Sequence, residues 1–198
     1  MPRVVEYSQV LARLTSDGLV CNYYNGGAFG FASGAIVRGW IGQTDQSIRQ
    51  QMRENIRIVP EDKLVNLAIR AWVEILGGNA WVMPGSSWSY ELNFGARGWL
   101  PNLLQSVGID SNELADRTDA AAIEFTPVER QECQAFISGL LTKLSGSDFT
   151  LAFAGRKAVC TIHHHRQLWW VTNARDLAVQ LDQLISGPET LHMVPAKP

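Results

Sequence analysis

Gly-Gly-Ala-Phe-Gly-Phe-Ala-Ser, residues 26–33, opens a segment that stays apolar on nearly all sides as far as Ile41. A helix that is hydrophobic all round is a buried helix, so the sequence predicts a buried helix over residues 28–41. Gly30, Gly34 and Gly39 each weaken such a helix by about 1 kcal/mol relative to alanine. Their presence indicates close packing against another element, and the glycines at positions 26 and 27 predict a turn before it.

The composition is that of an ordinary globular protein of 198 residues, 46% of them hydrophobic, with a mean hydropathy of -0.05. A formal net charge of -2 gives no indication of nucleic-acid binding. Residues 1–7 lack the basic-then-apolar pattern of a signal peptide. Because no uncharged apolar run reaches the roughly 18 residues of a membrane span, we expect neither nucleic acid nor a membrane as a partner. The oligomeric state stays open.

Three cysteines, Cys21, Cys133 and Cys160, are odd in number and far apart in the sequence. They form no CxxC pair and no disulfide framework, which favours a reducing, cytoplasmic compartment. The sequence predicts no cofactor.

Helical spacing of apolar residues and capping residues predict helices in most of the front half. The predicted helices cover residues 4–14, 44–57, 60–76, 101–107, 112–117, 126–144 and 176–185. The helix after Thr126 is announced by a capping box, Thr126-Pro127-Val128-Glu129.

Strand patterns dominate the last third of the chain. A three-stranded meander is predicted over residues 149–154, 157–164 and 167–172, with further strands at 121–125 and 190–194. Residues 87–94 alternate strictly between aromatic or apolar and polar side chains, which predicts a half-buried strand or an extended segment. The order of elements predicts an α+β domain, with a helical lobe over residues 1–118 and a sheet-containing lobe over residues 119–198.

The Gly-Gly-Ala-Phe segment resembles the nucleophile helix of papain-like cysteine peptidases, in which a glycine turn precedes a cysteine at the start of a buried helix. Ala28 occupies the cysteine position, and Asn22 matches the residue that donates to the oxyanion. Lys157-Ala158-Val159 resembles the family's His-Ala-Val strand, and Asn173 matches the asparagine that orients the histidine. The meander with its following helix and strand is similar to Josephin-type deubiquitinases and bacterial effector peptidases.

This resemblance implies a papain-like fold in which Ala28 and Lys157 face each other across a cleft, with Asn173 behind Lys157. Loss of a triad member costs on the order of 10⁶ in rate, and lysine is protonated at neutral pH unless its surroundings prevent it. We therefore expect a catalytically inactive papain-like domain that binds a protein or peptide, in the cytoplasm or, as an effector, in a host cytosol.

Two alternatives stay open. One is an active cysteine peptidase or deubiquitinase-like hydrolase whose native nucleophile has been replaced by Ala28, and the other is an unrelated α+β protein-interaction module. Cys21 is a rival nucleophile position, because residues 17–21 resemble the lead-in of the Josephin type.

Further candidate residues each have a plain structural explanation. Adjacent residues of a strand point to opposite faces, so His163-His164-His165 predicts a solvated hairpin rather than a metal site, although His163 or His165 could replace the catalytic base. Trp88, Tyr90 and Trp99 could line a peptide groove or pack in the core. The arginine stripe predicted on the helix over residues 44–57 could meet an acidic partner or simply be solvated; it comprises Arg49, Arg53 and Arg57.

Overall fold

The computed structural model describes residues 1–22, 27–42 and 55–186. Within these residues the chain is α+β, and eight strands form one sheet in the order β1-β7-β6-β8-β9-β10-β4-β5. The strands are β1 (Arg3–Val5), β2 (Leu19–Cys21), β3 (Phe29–Phe31), β4 (Ile36–Gly42), β5 (Ile56–Val59), β6 (Ala80–Pro84), β7 (Ala122–Phe125), β8 (Phe149–Phe153), β9 (Ala158–His163) and β10 (Gln167–Thr172). Strands β2 and β3 form a separate hairpin. The sheet is antiparallel except for the parallel pairing of β4 with β5.

Seven α-helices accompany these strands in the described part of the chain. They are α1 (Tyr7–Ser16), α2 (Glu61–Arg70), α3 (Trp88–Tyr90), α4 (Leu100–Ser106), α5 (Asn112–Ala115), α6 (Arg130–Lys143) and α7 (Arg175–Ile185). One π-helical segment, Ala71–Leu76, continues α2, and another, Glu91–Gly95, continues α3. A 3-10 turn, Pro127–Glu129, leads into α6.

The elements with strong local signals are confirmed. The capping box forms as predicted, because the backbone N–H and the hydroxyl of Thr126 both donate to Glu129 Oε2 at 2.8 Å. Gly77 and Gly78 take positive φ angles of 64° and 71° and end the helical segment that begins at Glu61. Strands β8, β9 and β10 form the predicted antiparallel meander.

The sheet separates two hydrophobic clusters. Helices α2 to α7 cover one face, here called the helical face, where Phe149, Leu151 and Phe153 of β8 point into the larger cluster. Helix α1 and the β2–β3 hairpin cover the other face, here called the hairpin face. Ala152 of β8 packs on that side, as the alternation of a strand requires.

The prediction of a buried helix over residues 28–41 is wrong, because this segment forms β3 and β4. Strand β4 pairs with β10 on one side and β5 on the other, and Trp40 and Ile41 are buried on opposite faces of the sheet. A strand covered on both faces is apolar without alternation, so periodicity cannot separate it from a buried helix. Gly39 provides room for a neighbour, because a Cβ there would lie 2.7 Å from the ring of Trp169.

The extended segment predicted over residues 87–94 is also wrong. Trp88 and Leu92 are buried, whereas Tyr90 and Phe94 are exposed with their rings 6.0 Å apart. In an alternating pattern every second apolar residue is four positions from the next, and residues four apart lie on the same side of a helix. Helix α3 and the π-helical segment after it therefore bury one such pair and expose the other.

The front half contains several of the predicted helices but also contributes to the main sheet, since β1, β4, β5 and β6 come from residues 1–118 and lie in that sheet. Ile56 and Arg57 belong to β5 rather than to a helix. Residues 44–54 of the helix predicted over residues 44–57, including Arg49 and Arg53, lie outside the described residues, as does the strand predicted over 190–194. The sheet takes strands from both sides of the lobe boundary predicted near residue 118.

Candidate functional site

Ala28 and Asn22 lie together at the loop end of the β2–β3 hairpin, directly beyond the last paired residues of the two strands. The backbone N–H of Asn22 donates to the carbonyl oxygen of Ala28 at 2.8 Å, next to the register pair of Cys21 and Phe29. Residue 28 directly precedes β3, and no helix starts there. The arrangement therefore lacks the helix N-terminus that lowers the pKa of a catalytic cysteine.

Lys157 and Asn173 lie at one end of the β9–β10 ladder. The last register pair there is Thr172 with Ala158, and the Thr172 hydroxyl donates to the carbonyl oxygen of Lys157 at 2.6 Å. Both predicted residues are exposed. Ala28 belongs to the two-stranded hairpin, whereas Lys157 adjoins the main sheet, so the two residues are held by different sheets.

The three thiols differ in accessibility. Burial raises the pKa of the Cys133 and Cys160 thiols well above the ordinary value, and both are fully buried. Cys21 is half-buried, with its Sγ atom 3.4 Å from the hydroxyl of Tyr7. Burial and the contact with Cys21 together raise the pKa of Tyr7, so the hydroxyl is no base for that thiol at neutral pH.

The aromatic trio does not form one groove. Trp88 is a core residue whose indole N–H donates to the carbonyl oxygen of Ala121 at 2.6 Å and whose ring meets Phe149 edge-on. Tyr90 is on the surface with 51% of its side chain accessible, and Trp99 is half-buried against the larger cluster.

The predicted turn at the three consecutive histidines forms between β9 and β10. His163 ends β9, and His164, His165 and Arg166 connect it to Gln167, which starts β10. Arg57, the described member of the predicted arginine stripe, points to the helical face, where its guanidinium lies 3.7 Å from Asp182 of α7.

A different feature, here called the helical groove, is a large surface concavity on the helical face, with a volume of about 1040 Å³. It lies between α2 with its π-helical continuation, the first turns of α6, and α7. Its lining residues are Lys63, Asn66, Leu67, Ile69, Arg70, Val73, Glu74, Ile75, Arg130, Gln134, Gln180, Gln183 and Leu184.

The helical groove combines an apolar floor with amide side chains. Leu67 and Ile69 are buried, and Ile75 and Leu184 are half-buried. Amides stand on all three helices that border the groove. The Nε2 atom of Gln134 donates to Oδ1 of Asn66 at 2.7 Å, which links α6 to α2 across one end.

The charges of the helical groove leave an excess of positive charge. Arg70 donates two hydrogen bonds to Glu74, at 2.8 and 3.1 Å, and this contact holds the pKa of the Glu74 carboxyl below its ordinary value. The pair is therefore neutral overall. In the described part of the chain, neither Lys63 nor Arg130 has an ion-pair partner.

A second, smaller cavity of about 350 Å³ lies on the other side of the Asn66–Gln134 bridge. Acidic and hydroxyl side chains line much of it, including Glu61, Ser138 and Thr142. Arg166 reaches into it from the β9–β10 turn and forms an ion pair with Glu61. The bridge therefore separates two different surfaces. The helical groove is basic, whereas Arg166, the basic residue that lines the smaller cavity, is already paired.

The helical groove was not predicted from the sequence. Its residues come from three helices that are distant in the sequence, and only tertiary packing brings them together. A partial signal exists in α2, where Lys63, Asn66 and Arg70 recur at helical spacing beside the apolar stripe.

No family model, no curated protein and no solved structure matches this chain. None of the described helices combines the length and the apolar character that crossing a membrane requires.

Proposed function

We propose that this protein binds a linear, acidic segment of a partner protein in the helical groove. The observation that carries the proposal is the pair of cations without an ion-pair partner in the described chain, Lys63 and Arg130, beside an apolar floor. The proposal keeps the binding role expected from the sequence and moves it from the Ala28–Lys157 cleft to the helical face.

Each part of the groove suits one part of an extended peptide. The floor of Leu67, Ile75 and Leu184 can bury apolar side chains, which supplies most of the binding free energy. Gln180 and Gln183 of α7 carry both donors and acceptors and can pair with peptide N–H and C=O groups. Lys63 and Arg130 select carboxylates.

The expected affinity is modest, because exposed ion pairs contribute only about 0.2–1 kcal/mol each. Charge complementarity at such a site acts mainly on specificity and on the association rate. Binding should weaken with salt, since the Debye length falls from about 10 Å at 0.1 M to about 3 Å at 1 M ionic strength.

A selection from a phage-displayed library of random linear peptides tests the proposal. Peptides enriched on the wild-type chain should combine acidic with apolar residues, and synthetic copies should bind in fluorescence anisotropy. The variant K63E/R130E should bind them at least about tenfold more weakly, since two attractions become repulsions. Glutamate in the first turn of a helix is favourable, so both substitutions are compatible with folding.

The matched control is R97E/R175E, which changes the net charge equally at two exposed arginines outside the groove. Arg175 is, like Arg130, the first residue of its helix. Enriched peptides without acidic residues, or an equal loss in both double variants, would overturn the proposal. So would a DNA or RNA oligomer that displaces the peptide at equal concentration, because the groove would then recognise phosphate.

A further inference from the structure

The β9–β10 turn brings three imidazoles together. The register pair His163–Gln167 leaves a three-residue loop, in which Arg166 takes a left-handed φ of 57°. The chain bends so sharply that the side chains of His163, His164 and His165 converge instead of alternating. Their ring centroids are 4.1 to 5.0 Å apart, and one ligand nitrogen of each lies within 4.8 Å of the others.

Asp148, from the loop before β8, fixes the middle imidazole. Its Oδ1 atom accepts from the backbone N–H of His164 at 3.1 Å and lies 2.8 Å from Nδ1 of the same residue. A carboxylate can only accept, so Nδ1 carries the proton and the lone pair of Nε2 stays available. A carboxylate that orients a histidine in this way is the usual outer partner of a metal ligand.

The charged side chains around the β9–β10 turn are compatible with the binding of a cation. Arg166 follows the histidines directly, but its guanidinium is paired with Glu61 of α2 at 2.5 Å. The second carboxylate oxygen of Asp148 lies 3.9 Å from Nε2 of His163. The side chains of His163 and His164 are 26% accessible and His165 is exposed, so an ion can enter from solvent.

We propose that His163, His164 and His165, with Asp148 behind them, form a binding site for a divalent transition-metal ion such as Zn²⁺. Imidazole nitrogen ligands suit zinc, nickel and copper, whereas magnesium and calcium prefer an all-oxygen shell. Zn–N bonds of about 2.0–2.1 Å place tetrahedral ligand atoms roughly 3.4 Å apart. Small side-chain rotations close the remaining distance and leave a fourth position for water.

Loading the site has a local consequence. The backbone N–H of His165 donates to Nδ1 of His163 at 3.2 Å, so in the neutral ring Nε2 carries the proton. Coordination through Nε2 moves that proton to Nδ1 and breaks the bond from His165. The amide of His165 therefore has to change its environment when the metal binds.

Isothermal titration of the full chain, without an affinity tag, with Zn²⁺ and separately with Mg²⁺ tests the proposal. One equivalent of Zn²⁺ should bind and Mg²⁺ should not. The variant H164A/H165A should lose at least about 100-fold in affinity, and Asp148→Ala about 10- to 100-fold, as removal of an outer partner typically does. The ¹H–¹⁵N signal of His165 should shift on addition of Zn²⁺.

The chain offers a matched control in His192, its fourth histidine, which lies outside the described residues. His192→Ala should bind Zn²⁺ as the wild type does. Should H164A/H165A fail to fold by circular dichroism, the exposed single variant His165→Ala serves instead, with an expected loss of Zn²⁺ affinity of at least about tenfold, because it removes a direct ligand. Absence of Zn²⁺ binding, undiminished binding in the histidine-turn variants, or an equal loss in His192→Ala would overturn the proposal.

Discussion

On the helical face of the sheet, Lys63 and Arg130 border a groove and have no ion-pair partner within the described residues. On the hairpin face, the buried carboxylate of Glu124 accepts hydrogen bonds from Arg3 Nε at 2.6 Å, Asn79 Nδ2 at 2.9 Å and Trp81 Nε1 at 3.0 Å. The carboxylate of Glu124 is therefore satisfied within the fold, whereas Lys63 and Arg130 have no such partner in the described part of the chain. Substitutions on the two faces should separate stability from binding.

The largest expected effect is that of Glu124→Ala on stability. The substitution leaves the buried N–H of Trp81 without its acceptor and frees Arg3 and Asn79, which costs about 3 kcal/mol. For a chain of this length the melting temperature should fall by roughly 6–12 °C. The matched substitution Glu132→Ala, at an exposed position of α6, should change the free energy of unfolding by about 0.5 kcal/mol or less.

Peptide affinity should be the same in Glu124→Ala as in the wild type, measured below the melting temperature of the variant. A loss of stability under 1 kcal/mol in urea denaturation would contradict the stabilising role of Glu124. A parallel loss of peptide binding would contradict the separation of stability from binding between the two faces. The first result would mean that the three hydrogen bonds add little beyond what water provides.

The groove should show the opposite response. In K63E/R130E the free energy of unfolding should stay within about 0.5 kcal/mol of the wild type, because neither side chain has an ion-pair partner in the described chain to lose. Affinity for a selected acidic peptide should fall by about 1.4 kcal/mol or more, which is tenfold. Urea denaturation and fluorescence anisotropy on one preparation measure both, and a destabilised double variant with intact binding would contradict the account.

A smaller effect is expected from pH on the stability that Glu124 contributes. Burial raises the pKa of Glu124, but the hydrogen bonds from Asn79, Arg3 and Trp81 outweigh burial and hold the pKa below its ordinary value of 4.5. A carboxyl whose pKa is lower in the folded than in the unfolded state stabilises the fold above the unfolded pKa and loses this contribution as pH falls through the folded pKa.

The stability difference between wild type and Glu124→Ala should therefore narrow as the pH falls from 7 to 3. Urea denaturation of both proteins at several pH values checks this. A difference that stays constant over the whole range would show that the carboxyl has the same pKa in the folded and unfolded chain.

The smallest effect is expected for the reactivity of a cysteine at position 28, the position that suggested a thiol enzyme. A cysteine placed at position 28 directly precedes a strand and gains no helix dipole. In the variant C21S/A28C, iodoacetamide should label this thiol no faster than a free cysteine derivative at the same pH. Labelling more than about tenfold faster, or reaction with a peptide-based cysteine-peptidase probe, would favour the peptidase alternative.

Local signals explain which parts of the fold could be predicted. The capping box at Thr126 and the glycines after Leu76 act through neighbouring residues, and the strands of the meander are bounded by turn residues. The segment from Phe29 to Ile41 has a turn signal only at its start, and the burial of β4 on both faces of the sheet hides the strand periodicity. Strand β4 pairs with β10, which lies more than a hundred residues further along the chain, and no local sequence pattern predicts such a pairing.

The candidate sites could be predicted to different degrees. The three consecutive histidines and the hairpin turn at that position were both visible in the sequence. The turn's tightness, with Arg166 in the left-handed region, and the approach of Asp148 were not, and these features reverse the argument that adjacent histidines diverge. The helical groove depends on the packing of α2, α6 and α7, so no single segment indicates it.

A charge-swap cycle on the helical groove tests the central claim most directly. Two peptides are compared, one selected on the wild type and a copy in which its acidic residues become lysine, each against wild type and K63E/R130E. The account predicts that the acidic peptide prefers the wild type at least about tenfold and that the lysine peptide prefers the double variant. If both peptides bind both proteins equally, Lys63 and Arg130 do not contact the ligand and the groove is not the binding site.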